Sequence, residues 1–404
     1  MRNPWGIFRN GIGKLKQGLS WKSMPKLSEF QSLADLSLEV EQAVCERYRS
    51  SVPGPFDRQV SLIRLCGQGH EGVGEDVSYE TEDHAEFQLH AAKLPLCGQY
   101  RLGEFSDHLD QISLYGRPPV RESSRHYRRW ALESAALDLA LRQQGCSLHE
   151  FLQLKPKPLR YVVSLSVRGE EDLARIRAIQ AIWPDMGFKV DVSPAWDDGF
   201  CRQLADLQCV KVVDFKGYYQ GTSVSLQPDP ELYRRVAEFF PEAFLEDPWL
   251  DSRTLPVLQE YRQRVTWDAP ISSIADVEAF PWLPQHLNLK PSRSGRLQTL
   301  WELYSWCEER QIQLYAGGQY ELGPGRGQAQ YLASLFHPEA CNDIAPVVFH
   351  GPEPPQDHPG SPLPPTPESS GFSWQGPSLL APWTPETRSF MQRLRGRLRR
   401  WRNS

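Results

Sequence analysis

The chain has 404 residues, a formal net charge of −5, 40% hydrophobic and 24% charged residues. That is the make-up of an ordinary globular protein with room for two domains. The acidic balance excludes a general basic field, so no sequence-specific nucleic-acid partner is expected. No apolar run reaches the length of a membrane span, and the first residues lack the continuous apolar core of a secretory signal.

The charge is unevenly placed. Residues 1–28 carry Arg2, Arg9, Lys14, Lys16, Lys22 and Lys26 and no acid. After Glu386 the tail carries Arg388, Arg393, Arg395, Arg397, Arg399, Arg400 and Arg402, again with no acid. The body between them is therefore acidic. None of the eight cysteines forms a CxxC, and no His/Cys group has zinc-ligand spacing. Reduced thiols and a cytoplasmic location are expected.

In chain order, residues 1–37 read as a basic extension. Trp5, Ile7, Phe8, Ile12, Leu15, Leu19 and Trp21 are interleaved there with glycines and basic residues. The glycines weaken a helix, so a poorly ordered arm is expected, with a membrane-surface helix as the alternative. Residues 38–155 read as an α+β domain. QVSLIRLCG and GVGEDVSYE are strands around a Gly-rich turn, and ERYRSSVPGPFDRQ is expected as a mobile loop before them. YRRWALESAALDLALRQQ (127–144) forms a helix with Trp130, Leu132, Ala135, Ala136, Leu139 and Ala140 on one face, stopped by Gly145.

From residue 156 to 350 the pattern alternates between strand and helix. The strands are YVVSLSV (161–167), FKVDV (188–192), VKVVD (210–214), AFLE (243–246), VTWD (265–268), HLNLK (286–290) and IQLYA (312–316). A last strand is expected near Ile344–Val348, and helical stretches fill the gaps. Seven such units predict a (β/α) barrel. A doubly wound open sheet is the alternative, disfavoured because no Gly-rich phosphate loop follows the first strand. Residues 351–387, with GPEPPQDHPGSPLPPTPESSG, read as a disordered Pro-rich linker. Residues 388–404 form an Arg-rich tail. Both basic ends are candidates for contact with an anionic surface.

Asp214, Glu246, Asp268 and Lys290 close successive predicted strands. In a barrel, groups at the C-terminal strand ends meet over one rim. Three hard carboxylates without imidazole or thiolate suit Mg²⁺, or Mn²⁺, better than zinc. A lysine beside them is a candidate base. Strand alternation is expected to point Asp247 away from this group.

FKVDVSPAWDD, VVDFKG, FLEDPW, WDAPISS, LNLKPSRSGRL and AGGQYELGPGRG together resemble the enolase superfamily. The likeness is to its muconate-lactonising enzyme, o-succinylbenzoate synthase and N-acylamino acid racemase group. It runs from about residue 38 to about residue 346. It implies a modified TIM barrel, (β/α)₇β, under an N-terminal α+β capping domain. It also implies an enzyme that abstracts a proton α to the carboxylate of a small molecule, an Mg²⁺-dependent lyase or isomerase. Carried over by position, Asp214, Glu246 and Asp268 are metal ligands, and Lys290 is a base or a cation facing the intermediate. Lys189 helps hold the substrate carboxylate. Ser166 at the end of the first strand, Lys216 and Glu321 are further candidates for substrate contact, and Glu321 is also a candidate to orient Lys290. The loop at 51–57 is expected to close over the substrate. Neither the substrate nor the oligomeric state is specified.

Two positions depart from the family pattern. The KxK of the second strand is Lys189-Val190-Asp191, and the DxN of the third is Asp214-Phe215-Lys216. Residues i and i+2 of a strand share a face, so Asp191 and Lys216 are expected to form a compensating ion pair across neighbouring strands. That leaves Lys290 alone to handle the proton. Asp191 as a second acid/base is an alternative. So is a catalytically altered barrel, with Lys216 competing against the metal, that acts as a binding or regulatory protein.

Overall fold

The computed structural model describes residues 27–383 apart from 53–55, 223 and 352. The stretch 1–26, the tail 388–404 and the last residues of the Pro-rich stretch lie outside the described residues.

Strands β1 (Ser37–Val40), β2 (Gln42–Ser50), β3 (Gln59–Gly67), β4 (His70–Asp76) and β5 (Gly98–Arg101) build the first domain. β2, β3 and β4 form an antiparallel meander, and β1 pairs antiparallel with β5. ERYRS, expected in the mobile loop, instead completes β2 and pairs with β3. The helix Ser124–Gln143 lies on β3 and β4 and is buried almost throughout. Its approach is close because β4 carries Gly74. A Cβ there would fall 1.9 Å from the carbonyl oxygen of Ala131.

The helix Leu27–Ala34 corrects the expected boundary at residue 37. Leu33 is fully buried and Phe30 packs on Trp301 of the barrel helix Leu297–Glu309. Residues 27–37 of the predicted extension therefore belong to the fold.

The second domain is the barrel. β6 (Val162–Ser166), β7 (Gly187–Asp191), β8 (Val210–Asp214), β9 (Phe244–Glu246) and β10 (Val265–Thr266) run parallel in sequential order. β11 (His286–Leu289) pairs parallel with β12 (Gln313–Ala316). The Asn288 N–H donates to the Trp267 carbonyl at 3.2 Å, joining β10 to β11. Parallel bridges from Asn342 to Tyr161 and from Asp343 to Gly317 close the ring between β12 and β6. The eighth strand is thus shorter and earlier than Ile344–Val348. Pro346 offers no N–H to a ladder, and Val347–His350 turns as a 3₁₀ helix.

Helices follow the strands with local stop and start signals. Asp197 accepts from Phe200 N at the head of Asp198–Ala205. Asp229 accepts from Glu231 N and Leu232 N, with Pro230 at the first helical position of Pro230–Phe239. Val163, Phe188, Val190, Val213, Leu245 and Leu287 alternate with the residues that point into the barrel, so they face the helices, and they belong to one continuous core shared with the first domain.

The Pro-rich stretch is corrected most strongly. Through Trp383 it packs as a strap across both domains rather than as a disordered linker. Leu159 and Leu363 exchange backbone hydrogen bonds of 2.9 and 2.7 Å. Phe372 is fully buried between Trp130 and Tyr331, and Trp374 packs on Tyr331. β13 (Leu380–Pro382) adds antiparallel to the outer edge of β2. Composition counts prolines and glycines as breakers. It does not register that Leu363, Phe372, Trp374 and Leu379 bury enough apolar surface to hold an irregular chain onto existing edges.

Candidate active site

The C-terminal ends of the barrel strands bring the predicted residues together. Lys189 on β7, Asp214 ending β8 and Glu246 ending β9 are at most 1% exposed. The Lys189 ammonium pairs with Asp214 Oδ2 at 3.1 Å, with Asp343 Oδ2 at 3.1 Å and with Glu246 Oε1. Burial opposes its charge, yet these three carboxylates raise its pKa well above the usual lysine value.

Asp191 and Lys216 meet as the shared-face argument expects. Lys216 Nζ lies 3.1 Å from Asp191 Oδ1 and 2.5 Å from Asp214 Oδ2. Lys216 has a φ of 51°, which folds it back over Asp214. Its N–H donates to Asp214 Oδ1 at 2.9 Å, so one residue holds both oxygens of that carboxylate. Ser166 Oγ donates to Asp191 Oδ2 at 2.6 Å. Burial pushes Asp214 up, but Lys216 and Lys189 outweigh it and hold the group below the usual carboxylate range.

Lys290 follows β11. Its ammonium lies 2.7 Å from Asp268 Oδ2, and its stem lies across Gly317, where a Cβ would come within 2.4 Å of Lys290 Cε. The Arg293 Nε is 3.8 Å from Asp268 Oδ1, and its guanidinium also donates to the Ala269 carbonyl and to the Tyr219 hydroxyl at 3.1 Å.

Asp247 overturns the alternation argument. β9 ends at Glu246, and Asp247 has a φ of 51°, so its side chain turns back toward the rim. Its carboxylate accepts from Asp268 N at 2.8 Å and Ala269 N at 2.9 Å. Asp214, Glu246 and Asp247 offer oxygens that all lie within 4.8 Å of one another. Asp268, the third acid of the predicted ligand set, is turned toward Lys290 and Arg293.

Several participants escaped the sequence reading. Tyr315 OH donates to Glu246 Oε2 at 2.5 Å, and Asn288 Nδ2 donates to the same oxygen at 3.2 Å. Asn288 sits two residues before Lys290 on one strand, so alternation could have found it. Asp343 lies on the short closing strand, which was placed too late in the chain. Glu321 does not touch Lys290; it accepts from Gln319 N at 2.6 Å and pairs with Arg326 at 3.0 Å. Gln319 Oε1 instead accepts from Lys290 Nζ at 3.3 Å.

A divalent cation fits this donor set. Among the described residues, the rim gathers the carboxylates of Asp191, Asp214, Glu246, Asp247, Asp268 and Asp343 with the cations Lys189, Lys216, Lys290 and Arg293. Six carboxylates against four cations would carry two negative charges in excess if all were ionised. Burial, with Asp214 and Asp268 adding to it against the pull of Lys189, pushes Glu246 up to about 8. Burial and then Asp268 and Asp214 push Asp247 up to about 7. Asp268 Oδ1 and Asn288 Oδ1 are buried acceptors without a hydrogen-bond donor. All the donors are hard oxygens, the set that Mg²⁺ prefers. Lys189, lying between Asp214 and Glu246, and Lys216, paired with Asp214, are the groups such an ion must compete with.

Two family models match this chain. They are the N-terminal and C-terminal domains of a domain of unknown function (DUF8230), over residues 31–151 and 155–351. An o-succinylbenzoate synthase of Enterococcus faecalis is 26% identical over 66% of this chain and 73% of its own length. An N-succinylamino acid racemase of Thermus thermophilus is 23% identical over 72% of this chain and 79% of its own. A solved structure from Enterococcus faecalis, described as an unknown member of the enolase superfamily, superposes with a TM-score of 0.60. It is 20% identical and covers 77% of this chain and 87% of that one.

The capped barrel with its ordered rim acids belongs to the enolase superfamily. Within it, the chain carries both domains of the DUF8230 family.

Proposed function

We propose that this protein is a lyase or isomerase that removes the proton α to the carboxylate of a small-molecule acid, with Lys290 as its only base. The observation that carries this is the asymmetry of the rim. On one side Lys290 stands over the barrel mouth with Asp268. On the opposite side, the position two residues after Lys189 is an acid, Asp191, tied to Lys216 and Ser166. Two-base racemisation needs a proton acceptor and a proton donor on opposite faces of the substrate. A one-base reaction does not, and β-elimination of water is the simplest.

In that reaction Lys290, as the free amine, takes the α-proton. The C–H electrons move into the carboxylate as an enediolate. As these electrons form the α,β double bond, the β C–O bond breaks, and Lys290 returns its proton to the departing oxygen. Asp214, Glu246 and Asp247, with the open Asp268 Oδ1, would hold Mg²⁺ or Mn²⁺. That cation, when bound, supplies charge stabilisation for the enediolate. Lys189 tethers Asp214, Glu246 and Asp343, while Lys216 and Ser166 fix Asp191. The free state of all eight thiols supports a reducing, cytoplasmic setting. Among the described residues no helix is long and apolar enough to cross a membrane.

A second reading has its own support. Lys189 and Lys216 already give Asp214 and Glu246 ammonium partners, which suits a barrel that binds an anionic ligand without turning it over. Screening carboxylates and N-acylamino acids in D₂O with Mg²⁺ separates the two. Uptake of deuterium that disappears in Lys290→Ala supports the enzyme. No uptake, together with no heat of Mg²⁺ binding, would leave the binding protein.

A further inference from the structure

We propose that Tyr127, on the capping domain, is a positioning residue for Lys290 and acts through Gln319. The inference rests on the reading of Lys290 as the base.

Lys290 Nζ has two polar neighbours that fix its head, the Asp268 carboxylate at 2.7 Å and the Gln319 side-chain oxygen at 3.3 Å. The two differ in kind. Asp268 is charged and holds the ammonium form. The amide oxygen of Gln319 is neutral, and it accepts from an ammonium or from a free amine alike. It therefore keeps Nζ in place when the proton has left, which a carboxylate alone does not.

Gln319 can do this only if its amide cannot turn. The Lys290 ammonium can only donate and so takes the amide oxygen, which leaves the amide nitrogen to donate to Tyr127 OH at 2.5 Å. Tyr127 sits in the first turn of Ser124–Gln143 and is 5% exposed, so its hydroxyl reaches the barrel from a rigid support. The Gln319 backbone is held as firmly. Its N–H donates to Glu321 Oε1 at 2.6 Å, and its carbonyl accepts from Arg58 NH2 at 3.0 Å. Arg58 also donates to the carbonyls of Tyr320, Val77 and Ser78, three more backbone anchors spanning both domains. Displacing the cap thus loosens the base without touching it. The capping domain contributes to the chemistry through this hydrogen-bonded relay as well as by covering the rim.

The test uses the full-length protein and reads the rate at which Lys290 is acylated by a small amine-reactive anhydride, followed by mass spectrometry at one fixed pH. Tyr127→Phe keeps the ring and removes the hydroxyl. Loss of one hydrogen bond's worth of restraint should raise the Lys290 rate about fivefold, with other lysines unchanged. Gln319→Glu, nearly isosteric, should lower the rate by placing a second carboxylate beside the ammonium. In a Gln319→Leu background, Tyr127→Phe should have no further effect, because the path through the amide is already cut. A rate within about twofold of wild type in Tyr127→Phe, or the same fivefold factor persisting in Gln319→Leu, would overturn the proposal. Deuterium exchange on wild type is measured alongside. Its absence with the labelling pattern intact would remove the base reading and leave the positioning contact standing.

Discussion

Lys216 is the residue on which metal binding turns. Its ammonium and its backbone N–H together hold both oxygens of Asp214, and its charge lies where a divalent cation must approach. Two like charges a few ångströms apart in a buried site repel by several kcal/mol even at an effective dielectric of about 20. Lys216→Asn should therefore tighten Mg²⁺ binding by at least about tenfold in calorimetric titration, with Asp191 left to take a proton or solvent. Unchanged or weaker binding would show that Lys216 does not oppose the ion. At the same scale, His84 and His337 contribute to the loss of stability in acid. Burial, the largest influence on each, pushes both imidazoles from 6.5 down to about 4. The Ser78 carbonyl can only accept, so His84 Nε2 carries the proton, and Nδ1 accepts from Ser61 Oγ. The unfolded chain binds these protons near 6.5, whereas the folded chain does so only near 4. The contribution is thus complete above about pH 6.5 and is lost as pH falls toward 4, by about 3 kcal/mol for each histidine at the limit. Urea unfolding at about pH 7 and about pH 4.5 should show this loss, and His337→Gln should shrink it. An unchanged slope in the variant would count against the assignment.

At the scale of elements, the strap from 351 to 383 behaves as part of the core. Phe372→Ala empties a site between Trp130 and Tyr331 and should cost about 3 kcal/mol in chemical denaturation. The ion pair of Arg142 and Glu368 on the same strap is 2.7 Å long but partly exposed. Glu368→Ala should accordingly cost less than about 1 kcal/mol. If both variants were equally mild, the strap would be only loosely attached. The contact between β4 and Ser124–Gln143 is less forgiving. A methyl at Gly74 would overlap a backbone carbonyl that cannot yield, so Gly74→Ala should destabilise by roughly 3 kcal/mol or more, measured in the same way.

For the molecule as a whole, the cap and barrel are joined by buried polar groups as well as by core. Glu75 on β4 accepts from the backbone N–H groups of Leu322, Gly323 and Gly325 at 2.6, 3.1 and 2.9 Å, at the head of the helix Pro324–Phe336. A carboxylate from one domain thus caps a helix of the other. The basic ends belong to this scale too. Flotation with anionic vesicles should retain the full chain at low salt and release it at high salt, while a chain lacking 1–26 and 388–404 should stay unbound. Equal behaviour of the two chains would leave the ends without that role.

Much of the fold and of the rim was legible in the residues themselves. Apolar runs ending in Asp214 and Glu246, and the run before Lys290, mark buried parallel strands. Such strands must be apolar along their length and can place charge only where they leave the core. The pairing of Asp191 with Lys216 was legible for a related reason, since alternation on adjacent strands is a local rule. Other features were not local. Asp247 joins the acids because its backbone turns left-handed just past β9, and Gln319 reaches Lys290 because a tyrosine from another domain orients its amide. Phe372 and Trp374 sit in a stretch whose composition is that of a linker, and only the surfaces they meet make it a strap. The sequence by itself determined the order of the strands and the charges at their ends, because each follows from what a short segment can bury. Which carboxylates converge, which amine stands over the rim beside Asp268 and what holds it there were decided by the tertiary structure. Those relations depend on distances between segments far apart in the chain, which no periodicity encodes.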